Sequence, residues 1–323
     1  MIVVTGAAGF IGSCVVARLN SQGRTDLILV DHYEDAHDPK RKNLDGKKYA
    51  QFFEKQDFLN VLLNDHVSFP VSHIIHMGAC SSTVLEDAEY FDKNNFQYSR
   101  AVAQWALKHN ARLIYASSAA TYGDGSHGYH DDADSIRGCR PLNLYGQSKQ
   151  KFDEWILDQG FWDKVVGLKF FNVFGPNEYH KDDMRSVVAK AYERVLREGR
   201  IALFKSYKKE YADGEQKRDF IYVKDAVDIV MYFFDHPEVN GIFNVGTGQA
   251  RTWNDLAHAF FTAIGKNAVI EYIEMPEVLR GRYQYFTEAD VRNLRRMGYT
   301  RSFTNLEDAI ADYVGYLKDH SYL

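Results

Sequence analysis

Tyr145 and Lys149 stand four residues apart in the segment Tyr145-Gly-Gln-Ser-Lys149. On a helix that spacing puts a phenol and an ammonium on one face. A phenol is a poor base at its ordinary pKa near 10, and a neighbouring cation stabilises the phenolate and lowers that value toward neutrality. Such pairs also arise by chance. This one gains weight from Ser117-Ser118, at the carboxyl end of the apolar run Arg112–Ala116, where ligands bind in open α/β sheets. The Ser118 hydroxyl can hydrogen-bond an alcohol or carbonyl; its bland alternative is a turn cap. Together the three read as an alcohol/ketone redox centre. Ser118 orients, Tyr145 removes or returns the proton, Lys149 tunes Tyr145, and a nicotinamide takes or gives the hydride.

A place for that nicotinamide is written at the N-terminus. Thr5-Gly6-Ala7-Ala8-Gly9-Phe10-Ile11-Gly12 lies between a short apolar run and an amphipathic segment. Gly6, Gly9 and Gly12 permit a tight turn and close backbone approach to a pyrophosphate, which the following helix N-terminus attracts. Asp31 follows about 20 residues later, where an acid binds ribose hydroxyls. A carboxylate there repels a 2′-phosphate and favours NAD. The next loop, however, carries Lys40, Arg41 and Lys42, which can neutralise that phosphate. The residues themselves leave NAD and NADP both open.

The elements that must position these groups follow from hydrophobic patterning. Strands are expected at Ile2–Thr5, Leu27–Val30, Ser72–His76, Arg112–Ala116 and Val165–Phe171. Helices are expected at Phe10–Ser21, Asp57–Leu63, Glu86–His109 and Leu144–Asp158. Several of the strands are apolar throughout, as parallel strands covered on both faces are. The second half predicts a helix over Met184–Glu198, a strand at Ile201–Phe204 and a hairpin-like stretch over Lys205–Lys217. Strands at Gly241–Val245 and Val269–Ile273 and helices at Trp253–Ile264, Glu288–Met297 and Asn305–Lys318 follow. The expected class is α/β: a Rossmann-like doubly wound parallel sheet with a smaller, interleaved C-terminal substrate domain. Residues 1–171 plus about 219–245 form the dinucleotide domain in this reading. Residues 172–218 plus 246–323 form the substrate domain.

Composition narrows the partners. The 323 residues carry 39 basic and 44 acidic side chains, a formal charge of −5, which argues against nucleic acid. Cys14, Cys80 and Cys139 have no paired spacing, as expected of a reducing cytosol. No signal peptide and no membrane-length apolar run is visible, so a cytoplasmic protein without membrane or metal is expected. The 21 Tyr and 21 Phe are read as packing for the most part.

On these residues the chain resembles the extended short-chain dehydrogenase/reductases. Further segments are similar to the ADP-L-glycero-D-manno-heptose 6-epimerase family within them: Gly78-Ala79-Cys80-Ser81-Ser82, Tyr115–Gly123, Pro141–Gly146, Phe171-Asn172-Val173-Phe174-Gly175-Pro176 and Arg280–Gln284. The resemblance spans essentially the whole chain. It implies a nucleotide-sugar epimerase of lipopolysaccharide core synthesis, with ADP-heptose as substrate, tightly held NADP and a homo-oligomer, a pentamer in the family. Carbon 6 would be oxidised to a ketone, and the same hydride would return to its other face. Lys181 would then be a second acid/base group. Cofactor contacts are implied at Phe10, Ile11, Asp31, His32, Lys40, Lys55, Asn94, Lys149, Val173 and Lys181, with the loop Met77, Gly78, Ala79, Cys80 and Ser81. Substrate contacts are implied at Ser118, Asn172, Asp183, Lys190, Phe204, Arg218 and Tyr283, Arg218 being a fork suited to a diphosphate. Met77, Gln147 and Asn177 stand where the family usually has Glu, Tyr and Arg. Asp183 and Lys190 also depart from common family residues.

Three other readings have discriminating features. A sugar-nucleotide dehydratase needs an acid/base pair just after Ser118, where this chain has Ala119-Ala120. A UDP-hexose 4-epimerase shares the centre but not the segments Gly78–Ser82 and His180–Met184. A non-catalytic NAD(P)-sensing protein would not need Tyr145 and Lys149.

Overall fold

A computed structural model describes residues 1–281 and 283–323, and the side chain of Val278 is likewise outside the description. Arg282, inside the Arg280–Gln284 motif, therefore lies outside the described residues. Seven strands form one parallel sheet: β1 (Ile2–Thr5), β2 (Leu27–Asp31), β3 (Gln51–Glu54), β4 (His73–His76), β5 (Arg112–Ser118), β6 (Val165–Phe170) and, far later, β10 (Gly241–Val245). Their order, β10-β6-β5-β4-β1-β2-β3, reverses direction between β1 and β4. That is the switch point where a doubly wound sheet opens a crevice.

Alternate residues of each strand enter different cores. Ile2, Val4, Leu27, Leu29, Ile75 and Ile114 pack with helices α1 (Phe10–Ser21) and α8 (Val223–Asp235) on one face. Val3, Ile28, Ile74, Leu113 and Tyr115 pack with α2 (Lys55–Leu63), α4 (Tyr98–Lys108) and α6 (Leu144–Asp158) on the other. Both faces are dry, so the strands need no polar alternation.

Two smaller sheets sit apart. Strands β7 (Asn172–Phe174), β9 (Lys217–Tyr222) and β11 (Ala250–Thr252) form one, and β8 (Ile201–Phe204) pairs in parallel with β12 (Ile270–Ile273). Strand β9 belongs to the small sheet, and the chain re-enters the large layer with α8. Helices α7 (Val187–Glu198), α9 (Trp253–Ala263) and α12 (Leu306–Asp319) cover these strands, with the short α3 (Ala88–Phe91), α5 (Ala133–Gly138), α10 (Glu277–Arg280) and α11 (Arg292–Arg296) completing the described α-helices. No helix among the described residues is long and apolar enough to cross a membrane.

Three expectations are corrected. Residues 205–216 hold turns rather than paired strands, and the Glu288–Met297 helix contracts to Arg292–Arg296. The long Glu86–His109 helix is interrupted: Asp92–Gln97 winds as a π-helix between α3 and α4. Such wide turns frequently mark functional positions.

Candidate active site

Everything that positions the cleft hangs on the carboxyl ends of β1, β2, β4 and β5. Gly6 has φ +64°, and a Cβ there would lie 2.6 Å from the Gly78 nitrogen. A Cβ on Gly12 would lie 2.0 Å from the Gly6 carbonyl oxygen. Both glycines are thus required, one for the turn and its approach to the loop after β4, the other for seating α1 on the turn. Asp31 ties the turn to β2: its Oδ2 accepts the Ala8 N–H at 2.7 Å and its Oδ1 the His32 N–H at 2.7 Å. Lys40 Nζ donates to the same Oδ1 at 3.2 Å, and Arg41 instead stacks on Tyr33. Of the basic run only Lys40 lines the cleft.

The π-turn supplies the next support. Asn95 Oδ1 accepts the Cys80 N–H at 2.8 Å, while its Nδ2 donates to the Cys80 carbonyl at 2.9 Å and to Ser148 Oγ at 2.9 Å. Ser148 in turn donates to the Tyr145 carbonyl at 2.7 Å. One buried amide thereby joins the Met77–Ser81 loop to the helix that carries Tyr145. Its neighbour Asn94 accepts from Lys55 Nζ at 2.8 Å. Asn94 lines the cleft while Asn95 braces the loop, a division of roles that the reading of Glu86–His109 as one regular helix did not reveal.

The resulting cleft, about 650 Å³, gathers Gly6, Gly9, Phe10, Ile11, Gly12, Asp31, His32, Lys40, Lys55, Met77, Gly78, Ala79, Cys80, Ser81, Asn94, Val173 and Lys181 together with Ser118, Tyr145 and Lys149. Glu34 and Tyr90 line it too, without any sequence signal of their own, as does His180 from the segment His180–Met184. Burial holds the His180 imidazole neutral, down to about 4. Lys181 lies over the Phe10 ring at 5.3 Å, and burial lowers its ammonium against the opposing charge of Glu178.

Lys149 is buried and donates from Nζ to the Ala116 carbonyl at 2.7 Å. Burial pushes its ammonium down to about 8, with the charge of Asp153 opposing. Tyr145 departs from expectation. Burial raises its phenol above the ordinary value, and the Ser118 hydroxyl, hydrogen-bonded to it, pulls it back only in part. Desolvation penalises the phenolate more than the neighbouring groups favour it. The protein supplies proximity and a hydroxyl partner; the lowering expected from Lys149 alone is not present.

Of the expected substrate residues Ser118 lines the cleft, and the others separate into two groups that do not. Arg218, Phe204 and Tyr283 meet: the Arg218 guanidinium lies 5.0 Å from the Tyr283 ring and 5.9 Å from Trp253, with Phe204 edge-on to Tyr283. Arg218 is buried and donates to the Lys217 carbonyl at 2.8 Å and to that of Gln284, with no carboxylate ion pair among the described residues. The ion pair with adjacent Asp219 does not form, because Asp219 accepts instead from Thr247, Gly248 and Ala289. Asn172, Asp183 and Lys190 are exposed, and Lys190 Nζ donates to the Asp183 carbonyl at 3.2 Å.

A seven-stranded Rossmann-type sheet with a glycine turn opening its cleft defines a dinucleotide-binding class of α/β protein. The sequence matches the NAD dependent epimerase/dehydratase family over residues 2–246, and the chain belongs to that family. It is 50% identical to the ADP-L-glycero-D-manno-heptose-6-epimerase of Nitratidesulfovibrio vulgaris, covering 97% of both chains. It is 44% identical to the Fusobacterium nucleatum protein of the same name, covering all of both. Among solved structures, the Helicobacter pylori ADP-L-glycero-D-manno-heptose-6-epimerase is similar with a TM-score of 0.79 at 25% identity, covering 98% of this chain and 96% of that one.

Proposed function

We propose that this chain is a nucleotide-sugar epimerase that inverts carbon 6 of ADP-D-glycero-D-manno-heptose to give ADP-L-glycero-D-manno-heptose, with NADP held in the cleft. The observation that carries the chemistry is the convergence of Ser118, Tyr145, Lys149 and Lys181 in one cleft at the sheet's switch point. The substrate rests on the near-full-length relatives named above.

The cleft residues fit a dinucleotide. Gly6 and Gly12 form a cradle that a Cβ would fill, and the end of β2 presents Asp31. Lys40 on the Asp31 carboxylate supports NADP, because it offsets the charge that would repel a 2′-phosphate. A nicotinamide held there would supply reversible hydride transfer at carbon 6. Ser118 holds the substrate oxygen, and Tyr145 takes the proton from the alcohol on one face. Lys149 supplies positive charge beside the phenolate so formed. Lys181 is the acid/base group for the opposite face, giving a proton to the carbonyl oxygen as hydride returns to carbon 6 of the turned-over ketone. Arg218, a buried guanidinium with no carboxylate ion pair among the described residues, is the fork for the diphosphate, flanked by rings that exclude water.

The test is incubation of the protein as isolated with ADP-D-glycero-D-manno-heptose, followed by proton NMR. The reading predicts conversion to the carbon-6 epimer without added cofactor. Inertness toward it with turnover of UDP-glucose would move the assignment to a UDP-hexose 4-epimerase.

A further inference from the structure

The turn that carries Lys181 is tied to the glycine turn by a side chain with no part in the chemistry. Asn43 is buried near the end of the 3-10 turn Pro39–Leu44, which also carries Lys40. Its Nδ2 donates to the Ala8 carbonyl at 2.8 Å and to the Asn177 carbonyl at 3.0 Å, and lies 3.3 Å from His180 Nδ1. Two carbonyls facing one atom fix the amide's orientation, because its oxygen placed there would meet like partial charge. An amide nitrogen accepts nothing, so His180 Nδ1 is the acceptor. Ala8 belongs to the glycine turn. Asn177 leads into the 3-10 turn Tyr179–Met184, which holds His180 and Lys181. A second tether runs beside the first. Asn177, wholly buried at φ +74°, donates from Nδ2 to Ser13 Oγ at 2.9 Å, and Ser13 donates to the Phe10 carbonyl at 3.1 Å. The ring of that same Phe10 lies under Lys181 Nζ.

The turn around Lys181 is not a regular helix that could place the side chain by itself. Asp182, the next residue, sits at φ +44° and ψ −120°, so the helical path breaks directly after Lys181. A turn so interrupted takes its place from its anchors. Any donor would satisfy two buried carbonyls; what is particular here is that they belong to two separate parts of the site. We propose that Asn43 is a positioning residue for epimerisation, whose N–H groups fix the Lys181-bearing turn against the glycine turn and so keep Lys181 at a set place in the cleft. This rests on the reading of Lys181 as the second acid/base group. Asn43 does not line the cleft, so its effect on turnover must pass through the groups it holds. A reacting group displaced by about 1 Å costs on the order of 10²-fold in rate.

The experiment is a double-mutant cycle on kcat, with NADP added in excess so that weakened cofactor binding does not enter. Hydrogen exchange of the peptide covering residues 177–186 in the cofactor-loaded protein is the second readout. Asn43→Ala is expected to lower kcat about 10- to 100-fold, with the KM for ADP-D-glycero-D-manno-heptose little changed. In a Lys181→Ala background the same substitution should change kcat by less than about twofold, because a residue that acts through Lys181 then has nothing left to position. Exchange in 177–186 should quicken about tenfold or more, while β4 and β5 exchange as in the wild type. An equal loss of kcat in both backgrounds, or unchanged exchange in 177–186, would overturn the proposal. Should Asn43→Ala fail to fold, Asn43→Ser, whose hydroxyl is too short to reach both carbonyls, is held to the same outcomes. A Lys181→Ala variant as active as wild type would overturn the acid/base reading of Lys181 instead, and exchange in 177–186 would then decide the positioning claim alone.

Discussion

The glycine turn and the Arg218 cluster are built from different material. At the turn, backbone meets backbone: Gly6 approaches Gly78, and α1 sits on the Gly6 carbonyl. Around Arg218, side chains meet side chains, contributed by β8, β9, the start of α9 and Tyr283. The first has no room for a methyl group. The second encloses a guanidinium that, among the described residues, donates to the Lys217 and Gln284 carbonyls. The turn offers a ligand backbone N–H groups and the cluster a side-chain cation, so substitutions in the two should act separately.

Variants can break this contrast. The largest effect is expected from Gly12→Val, whose Cβ would lie 2.0 Å from the Gly6 oxygen. Nicotinamide cofactor should no longer co-purify, as absorbance of the denatured extract would report, and the melting temperature should fall. Tyr145→Phe should keep the cofactor and lower kcat about 10²–10⁴-fold, the range for loss of a positioned acid/base group. Near wild-type turnover would remove Tyr145 from the centre. Arg218→Gln sharpens the comparison most. It should raise the nucleotide-sugar KM about tenfold or more, the weight of a charge-assisted fork, with cofactor content unchanged. If it lost cofactor instead, the two regions would not be separable. The smallest effect is expected from Lys40→Ala, a shift of about tenfold from NADP toward NAD in cofactor exchange measured by fluorescence.

The same contrast explains what could be read in the sequence. Gly6, Gly9 and Gly12, Ser118, and Tyr145 with Lys149 each form a contiguous signal at the end of a strand or the start of a helix, and doubly wound topology brings those ends together. Arg218, Tyr283, Phe204 and Trp253 are far apart in sequence, and no local pattern marks their meeting; only the family resemblance singled out the first three. The short strands Gln51–Glu54, Asn172–Phe174 and Ala250–Thr252 were not legible, being too brief and too mixed for a period-two pattern. The π-turn at Asp92–Gln97 keeps helical composition and so hid Asn95. Pairing Tyr145 with Lys149 was legible, but the direction of the phenol's shift was not, because burial depends on every wall of the cleft.

The central claim is that the hydrogen leaving carbon 6 returns to it from inside the cleft. Epimerisation of ADP-D-glycero-D-manno-heptose in deuterium oxide, with no cofactor added, tests it most directly. The account predicts product bearing its original hydrogen at carbon 6 by proton NMR and mass spectrometry; deuterium at that carbon would mean proton abstraction in place of transient oxidation and would contradict it.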